Sequence, residues 1–178
     1  MILPLLQNRR SVRRFQQLPV EPEKVLALTE ALLRAPSSRG RNPWEFIVVD
    51  DPATIKALAE AKAHGSAFLD GAPLVVVVCG DPERSDVWIE DCAIASILLH
   101  LTASSLDLGS CWVQIRSRLH RDGRTSEDYL RALLGIPDGL RVLSMVAIGY
   151  PGESKAGHDR ESLEWRKVRH NHYSDGKK

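Results

Sequence analysis

The stretch APLVVVVCG, residues 72–80, limits the fold of this chain more than any other. Four consecutive valines set between Leu74 and Cys79 show no polar alternation. A strand built from them has no face that can meet water, so it must lie at the centre of a sheet covered on both sides. The rest of the sequence must then supply the covering helices.

Besides a first helix expected to end near Arg10, with Ser11 beginning a tighter turn, four segments read as helices. EPEKVLALTEALLRAPSS opens with Pro22 and acidic residues, as a helix N-terminus does, and Pro36 marks its end. PATIKALAEAKAHG reads as a second helix stopped by Gly65. From about Asp86 to Leu108 the chain has the length of a long helix that is apolar nearly all round, which requires burial at the middle of the molecule or in a subunit interface. SEDYLRALLGIPDG is a fourth, stopped by Gly135 and Pro137. WEFIVVDDP, GSCWVQIR and LRVLSMVAIGYPG read as strands. Helices and strands are mixed without strict βαβ alternation, so the class is α+β with helices on both faces of one sheet. A length of 178 residues, 43% of them hydrophobic, suits one domain. After Gly152 the sequence turns polar and offers few core residues.

The formal net charge is only +1, so the surface as a whole does not attract nucleic acid. Against this background RRSVRR, residues 9–14, packs four arginines around Ser11 and Val12. Guanidinium is planar and bidentate, and beside a hydroxyl and free backbone N–H groups it suits a monophosphate. A solvated basic face and a nucleic-acid contact are the other readings that this stretch allows. The loop APSSRGRNPWEF offers small, hydroxylic and flexible residues to a flat ligand, or is an ordinary connection between helix and strand. Trp44 reads as core.

Several chemistries are excluded. There is no GxxxxGK[ST], no strand running into GxGxxG, no HExxH, no Cys-x-x-Cys and no GxSxG. The reactive group of an enzyme like this comes from a bound cofactor, and no side chain is expected to serve as catalytic acid, base or nucleophile. Cys79, Cys92 and Cys111 read as buried, reduced thiols. His100 reads as a core or interface histidine, and the HNHY cluster at 170–173 lacks the further ligands a metal would need. No apolar run reaches membrane-spanning length and no secretory signal precedes the arginines, so the expected location is the cytoplasm.

RRSVRRF, APSSRGRNPWEFIVV, GSCWVQIR and VAIGYPGESK, in that order, resemble the nitroreductase family of FMN-dependent oxidoreductases, especially its shorter members, from about residue 7 to residue 155. The resemblance implies a three-layer α/β/α sandwich with a mainly antiparallel central sheet and an intertwined homodimer holding FMN at the subunit interface. It implies a single domain over residues 1–178, with 153–178 as a C-terminal extension packing on the partner. Arg9, Arg10 and Ser11 would hold the phosphate and ribityl end of FMN, with Arg13 reaching towards the ring. Pro36, Ser37, Ser38 and Asn42 would contact the flavin bound mainly by the other subunit. The backbone of Trp112, Val113 and Gln114 would lie along the ring, and Lys155 would be a second phosphate ligand. The implied activity is ping-pong hydride transfer from NADH or NADPH through FMN to an electron-poor acceptor such as a nitroaromatic or quinone. A small aromatic substrate is implied as partner, with neither nucleic acid nor membrane. The sequence departs from the family pattern at Gly40, where many relatives have Asn, and at Arg116, near where larger relatives place Glu-Gly. A flavin-binding protein that has lost hydride transfer is the alternative that these departures leave open.

Overall fold

The computed structural model describes residues 1–173, so residues 174–178 of the expected extension lie outside the described residues. In chain order the elements are α1 (Ile2–Asn8), α2 (Pro22–Leu33), β1 (Trp44–Val49), α3 (Pro52–Ala59), β2 (Leu74–Gly80), α4 (Trp88–Ser105), β3 (Gly109–Gln114), α5 (Ser126–Leu134) and β4 (Arg141–Gly149). The four strands form one sheet in the order β1-β2-β4-β3 with every pairing antiparallel.

Every residue of β2 is buried, as its composition requires. Val75, Val77 and Cys79 point into one apolar layer with Ile55, Leu58 and Leu130 of α3 and α5. Leu74, Val76 and Val78 point into the other with Leu28, Leu32, Cys92 and Leu99 of α2 and α4. Period-two alternation along a doubly buried strand thus builds two cores, and the molecule is an α/β/α sandwich.

Helix ends follow local chemistry. Pro22 stands in the first turn of α2. The Asp51 carboxylate accepts from the Thr54 N–H at 2.7 Å and caps α3. Gly135 takes the left-handed conformation (φ 66°) that closes α5. The second helix does not run to Gly65 as its apolar pattern predicts; α3 stops at Ala59. Continuing it would require the Ala63 N–H to reach the Ala59 carbonyl. That carbonyl instead accepts from the Ser66 hydroxyl at 2.7 Å, and the Ala63 N–H donates to Leu119 O at 3.1 Å. Two better-placed partners divert the chain into a turn.

The sheet carries one irregularity. Val78 faces Ser144 but Cys79 faces Val142, so Leu143 is an extra residue on β4.

Helix α4 keeps its apolar character on both sides. Leu99 and Ala103 are fully buried, while Ile94 and Ile97 remain 39% and 43% exposed on the outer face. Replacing Leu99 with alanine removes a completely buried side chain and is expected to cost about 2–5 kcal/mol. In thermal unfolding this lowers Tm by about 4–20 °C; an unchanged Tm would show that α4 is not packed as described.

Candidate functional site

The arginine stretch is the link between α1 and the sheet. α1 ends at Asn8, the Arg9 N–H closes it on Leu5 O at 2.8 Å, and the chain then runs extended past Ser11, which bridges to β3 instead of opening the tighter turn expected there. Ser11 pairs in parallel with Ser110, and the Val12 N–H donates to Ser110 O at 3.1 Å. Gly109 is required beside this crossing, since a Cβ there would lie 2.8 Å from Val12 Cβ.

That hydrogen bond also fixes the parity of β3. Ser110 O points away from β4, so by the alternation of an antiparallel pair the backbone groups of Trp112 and Gln114 point the same way. The arginine segment is bridged to β3 only at Ser110. The outer edge of β3 from Trp112 to Gln114 therefore offers backbone donors and acceptors to a flat polar molecule. Val113 turns its side chain into the core and is buried, so only its backbone is available to a ligand. The Trp112 indole N–H donates to Gln114 Oε1 at 3.1 Å, and the Gln114 amide donates to Arg116 O at 3.0 Å, which fixes both side chains along this edge.

The segment after β4 closes the clamp from the other side. The Gln16 N–H donates to Tyr150 O at 2.9 Å and the Gly152 N–H to Arg14 O at 2.7 Å. The Arg10 guanidinium donates to Ala156 O. Lys155 Nζ donates to Ser11 O at 3.1 Å and to Glu153 Oε1 at 2.8 Å. The same Glu153 oxygen accepts from the Arg13 N–H at 2.6 Å. These two donors, the Arg13 N–H first, pull the Glu153 carboxyl down to about 2.

Lys155 and Glu153 thus close on the Ser11–Arg13 segment where it crosses Ser110, next to Cys111 in β3, and Arg13, Lys155 and Arg9 each favour the charged form of the Cys111 thiol. Burial outweighs them and pushes that thiol up, so Cys111 is an inert buried side chain. The Arg13 guanidinium lies over the Phe68 ring, 5.9 Å from its centroid. Phe68 and Glu153 were not singled out in the sequence. Nothing in the pattern distinguishes one glutamate in a polar turn, or one phenylalanine in a short connection.

The Pro36–Asn42 loop lies elsewhere. The Ser38 N–H donates to the buried Asp91 carboxylate at 2.8 Å, and the Ser85 hydroxyl donates to its other oxygen at 2.9 Å. The Ser37 hydroxyl donates to Asn42 Oδ1 at 2.7 Å and accepts from the Asn42 N–H at 2.9 Å. Positive φ at Arg39, Gly40 and Asn42 bends the loop outward. Ser38 is thus tied to the start of α4. Ser110 is tied nine residues further along it, where its hydroxyl meets His100 Nδ1 at 2.7 Å. At 1.5 Å per residue these anchors are roughly 13 Å apart, so within one chain Pro36, Ser37, Ser38 and Asn42 do not join the clamp. His100 is buried and held neutral, its pKa pushed down to about 4 by burial and then by Arg9. Trp44 packs in the core, as expected.

A cavity of about 610 Å³ lies next to the clamp, between Leu3, Gln7 and Asn8 of α1 and the 156–165 segment. The open edge of β3 is not part of it. A flat surface completed from one side only would leave no enclosed cavity over that edge.

Glu153 is the pin between Arg13 and Lys155, and its folded-state pKa lies below its ordinary 4.5. The stability it contributes is present above about pH 4.5 and is lost as pH falls towards about 2. Glu153→Gln should therefore lower stability at neutral pH, and wild type and variant should converge between those two values in urea unfolding. A gap that stays constant across the window would remove this role.

Comparison with known proteins agrees with this arrangement. The sequence pattern of the nitroreductase family matches residues 6–65 and 60–150. The chain is similar to an FMN-dependent nitroreductase from Clostridium difficile R20291 of known structure, with 40% identity, a TM-score of 0.93, and coverage of 95% of this chain and 98% of that one. A protein of Archaeoglobus fulgidus provisionally named NADH dehydrogenase/NAD(P)H nitroreductase is 36% identical over 157 residues, 86% of this chain and 87% of its own. The NADH dehydrogenase of Thermus thermophilus is 31% identical over 191 residues, covering 89% of this chain and 93% of its own. With the α/β/α sandwich, the all-antiparallel sheet and the arginine clamp on β3, these matches establish that the chain belongs to the nitroreductase family.

Proposed function

We propose that this chain is an FMN-dependent NAD(P)H oxidoreductase that works as a homodimer and passes hydride to an electron-poor acceptor such as a nitroaromatic or a quinone. The observation that carries the proposal is that the Ser11–Arg13 segment, held by Glu153 and Lys155, is bridged to β3 beside its open edge. A nearly neutral chain has placed Arg9, Arg10 and Arg13, with no carboxylate within 4.0 Å among the described residues, beside unpaired backbone groups there. A phosphate joined to a flat, polar-edged ring matches that donor set.

The chemistry FMN supplies when bound is acceptance of a hydride from a reduced nicotinamide and its return to the acceptor. The chain's residues bind and orient. Arg9, Arg10, Ser11 and Lys155 hold the phosphate and the ribityl end. Arg13 stands at the ring's pyrimidine edge, where a fixed positive charge favours the electron-rich form of the site. The Phe68 ring and the Glu153 carboxylate hold Arg13 in place from two sides. The backbone N–H groups of Trp112 and Gln114 orient the ring's polar edge. Position and electrostatics, with no side-chain nucleophile, do the work.

Association of two chains follows from what the single chain leaves uncovered. Ile2, Leu3 and Leu6 of α1, Ile94 and Ile97 of α4, and Leu163, Trp165 and Val168 of the tail are all exposed. Apolar surface on this scale marks an interface. The segment 153–178 is a C-terminal extension of one domain; its first residues lie against the N-terminus of their own chain and its further described residues, up to 173, pack on the partner. In that dimer Pro36, Ser37, Ser38 and Asn42 reach the partner's flavin. No helix among the described residues is long and apolar enough to cross a membrane, and three free cysteines fit the reducing cytoplasm.

The test is the visible spectrum of the purified protein before and after anaerobic NADPH or NADH. The expected result is a flavin spectrum that bleaches. A flavin that neither donor bleaches would identify a flavin-binding protein without hydride transfer, and a colourless chain that cannot be reconstituted would remove the clamp. Arg13→Gln should weaken FMN retention by about tenfold or more, the scale of a lost hydrogen bond to a charged group; equal retention on ultrafiltration would displace Arg13 from the site.

A further inference from the structure

Beyond the clamp the chain carries a second concentration of positive charge, in the turn that follows β3. This turn begins beside Leu143, the extra residue of β4 in its pairing with β2. The carbonyl of the extra residue Leu143 accepts from both Ile115 N–H at 3.1 Å and Arg116 N–H at 3.0 Å. The strand ends there, and the Arg118 N–H closes a turn on Ile115 O at 3.0 Å with Ser117 at φ 59°. A non-glycine residue in that region is held at a cost by its surroundings.

The turn and its continuation hold Arg116, Arg118, Arg121 and Arg124. Two of them are neutralised. Arg121 pairs with Glu60, and Arg124 with Asp122 at 2.8 Å. The Asp122 N–H donates to His120 Nδ1 at 3.3 Å, and the Asp122 carboxylate lies 2.9 Å from the same nitrogen. Arg116 and Arg118 have no carboxylate within 4.0 Å among the described residues, and neither does Lys62. Lys62 is brought to Arg118 by the 61–66 turn, whose Ala63 N–H donates to Leu119 O at 3.1 Å. The two cations repel: burial and then Arg118 push the Lys62 ammonium below its ordinary range. A merely solvated face gains nothing from pressing a half-buried ammonium against a guanidinium.

The location gives the pair a meaning. The turn starts where the open edge of β3 stops, at Gln114, whose side chain bonds to Arg116 O. The 61–66 turn leads directly into the Ala67–Gly71 segment that carries Phe68, the ring under Arg13. The unpaired cations thus lie at the far end of the surface assigned to the flavin ring, opposite the phosphate clamp formed by Arg9, Arg10 and Lys155. A nicotinamide dinucleotide stacked on that surface carries its own phosphates away from the ring, and these need cations outside the clamp.

We propose that Lys62, Arg116 and Arg118 form the subsite for the phosphate groups of the nicotinamide dinucleotide donor, and that the phosphorylated form, NADPH, is the preferred one. This rests on the reading of the site as a flavin centre reduced by a nicotinamide. Three uncompensated cations match the charge of a pyrophosphate joined to a 2′-phosphate better than that of a pyrophosphate alone. The same cations could instead greet an anionic acceptor, so the donor and acceptor arms must be read separately.

The first measurement is calorimetric titration of the FMN-loaded protein with NADP⁺, which has no hydride to give, for wild type, Lys62→Gln and Arg118→Gln. The expected result is binding that weakens about tenfold in each variant and falls steeply between low and moderate salt. The second is steady-state kinetics with NADPH, NADH and reduced nicotinamide mononucleotide against one neutral quinone. The KM for NADPH should rise about tenfold in each variant, with a smaller rise for NADH and almost none for the mononucleotide. NADP⁺ affinity unchanged in both variants overturns the subsite, as does a KM effect equal for all three donors. An effect confined to a carboxylated nitroaromatic acceptor overturns it in favour of an acceptor site. Circular dichroism and FMN content matching wild type separate these outcomes from misfolding. Failure of any nicotinamide to bleach the flavin is a distinct result that removes the underlying reading as well.

Discussion

The pairing of β2 with β4 is the constraint from which the rest of the structure follows. Neither strand has a wet face: β2 is buried throughout, and β4 is buried from Val142 to Gly149. Two such strands side by side demand a helical layer above and below, which fixes the sandwich. They also decide where a site can be. The interior of the sheet has no polar opening, so polar chemistry is displaced to its edge, and β3 is an edge strand. The arginine segment and the segment after β4 are carried to that edge by the two ends of the same core.

The bulge at Leu143 is where the buried pair shapes the edge. Leu143, the extra residue of β4 against β2, offers its carbonyl to two successive N–H groups, those of Ile115 and Arg116, where β3 has ended after Gln114 and Arg116 is exposed. The open length of β3 is thereby set from both directions. Ser11 and Val12 occupy it as far as Ser110, and it stops after Gln114, beside the bulge. About three residues of free backbone edge remain, roughly 10 Å at the rise of a strand, which suits a single ring system.

Much of this was legible in the sequence, for identifiable reasons. The four valines announce a doubly buried strand because no other environment accepts them. Pro22, Asp51 and Gly135 punctuate helices by fixed backbone chemistry, and α2, α3 and α5 begin or end where those residues say. The end of α3 was not legible. It depends on Ser66 and Leu119 taking hydrogen bonds that the helix would otherwise use, and Leu119 is 60 residues away in sequence. That Lys155 meets the arginine segment could be expected because ordered motifs carry both. Glu153, which ties Arg13 to Lys155, could not, since its role exists only once residues 13 and 153 meet. Lys62 escaped for the same reason, being one lysine in a polar turn until Arg118 lies beside it.

Charge balance connects these observations. A chain with 24 basic and 23 acidic residues can neutralise nearly every cation locally. It does so at Arg34, Arg121, Arg124 and Arg131, each with a carboxylate partner. Other cations without a carboxylate within 4.0 Å among the described residues, such as Arg39, Lys56, Arg84 and Arg160, stand apart from one another in the sequence, whereas one group of them lies at the start of β3 and another follows its end. Glu153 tests this pattern, because it is a carboxylate within the first set. Its oxygen is spent on a backbone N–H and one ammonium, leaving the Arg9, Arg10 and Arg13 guanidinium groups without a carboxylate within 4.0 Å among the described residues. The acid at the clamp thus holds its geometry while leaving those three charges free. Field lines from both sets therefore run along the same strand edge, and an anion at either end is attracted by a surface whose average charge is close to zero.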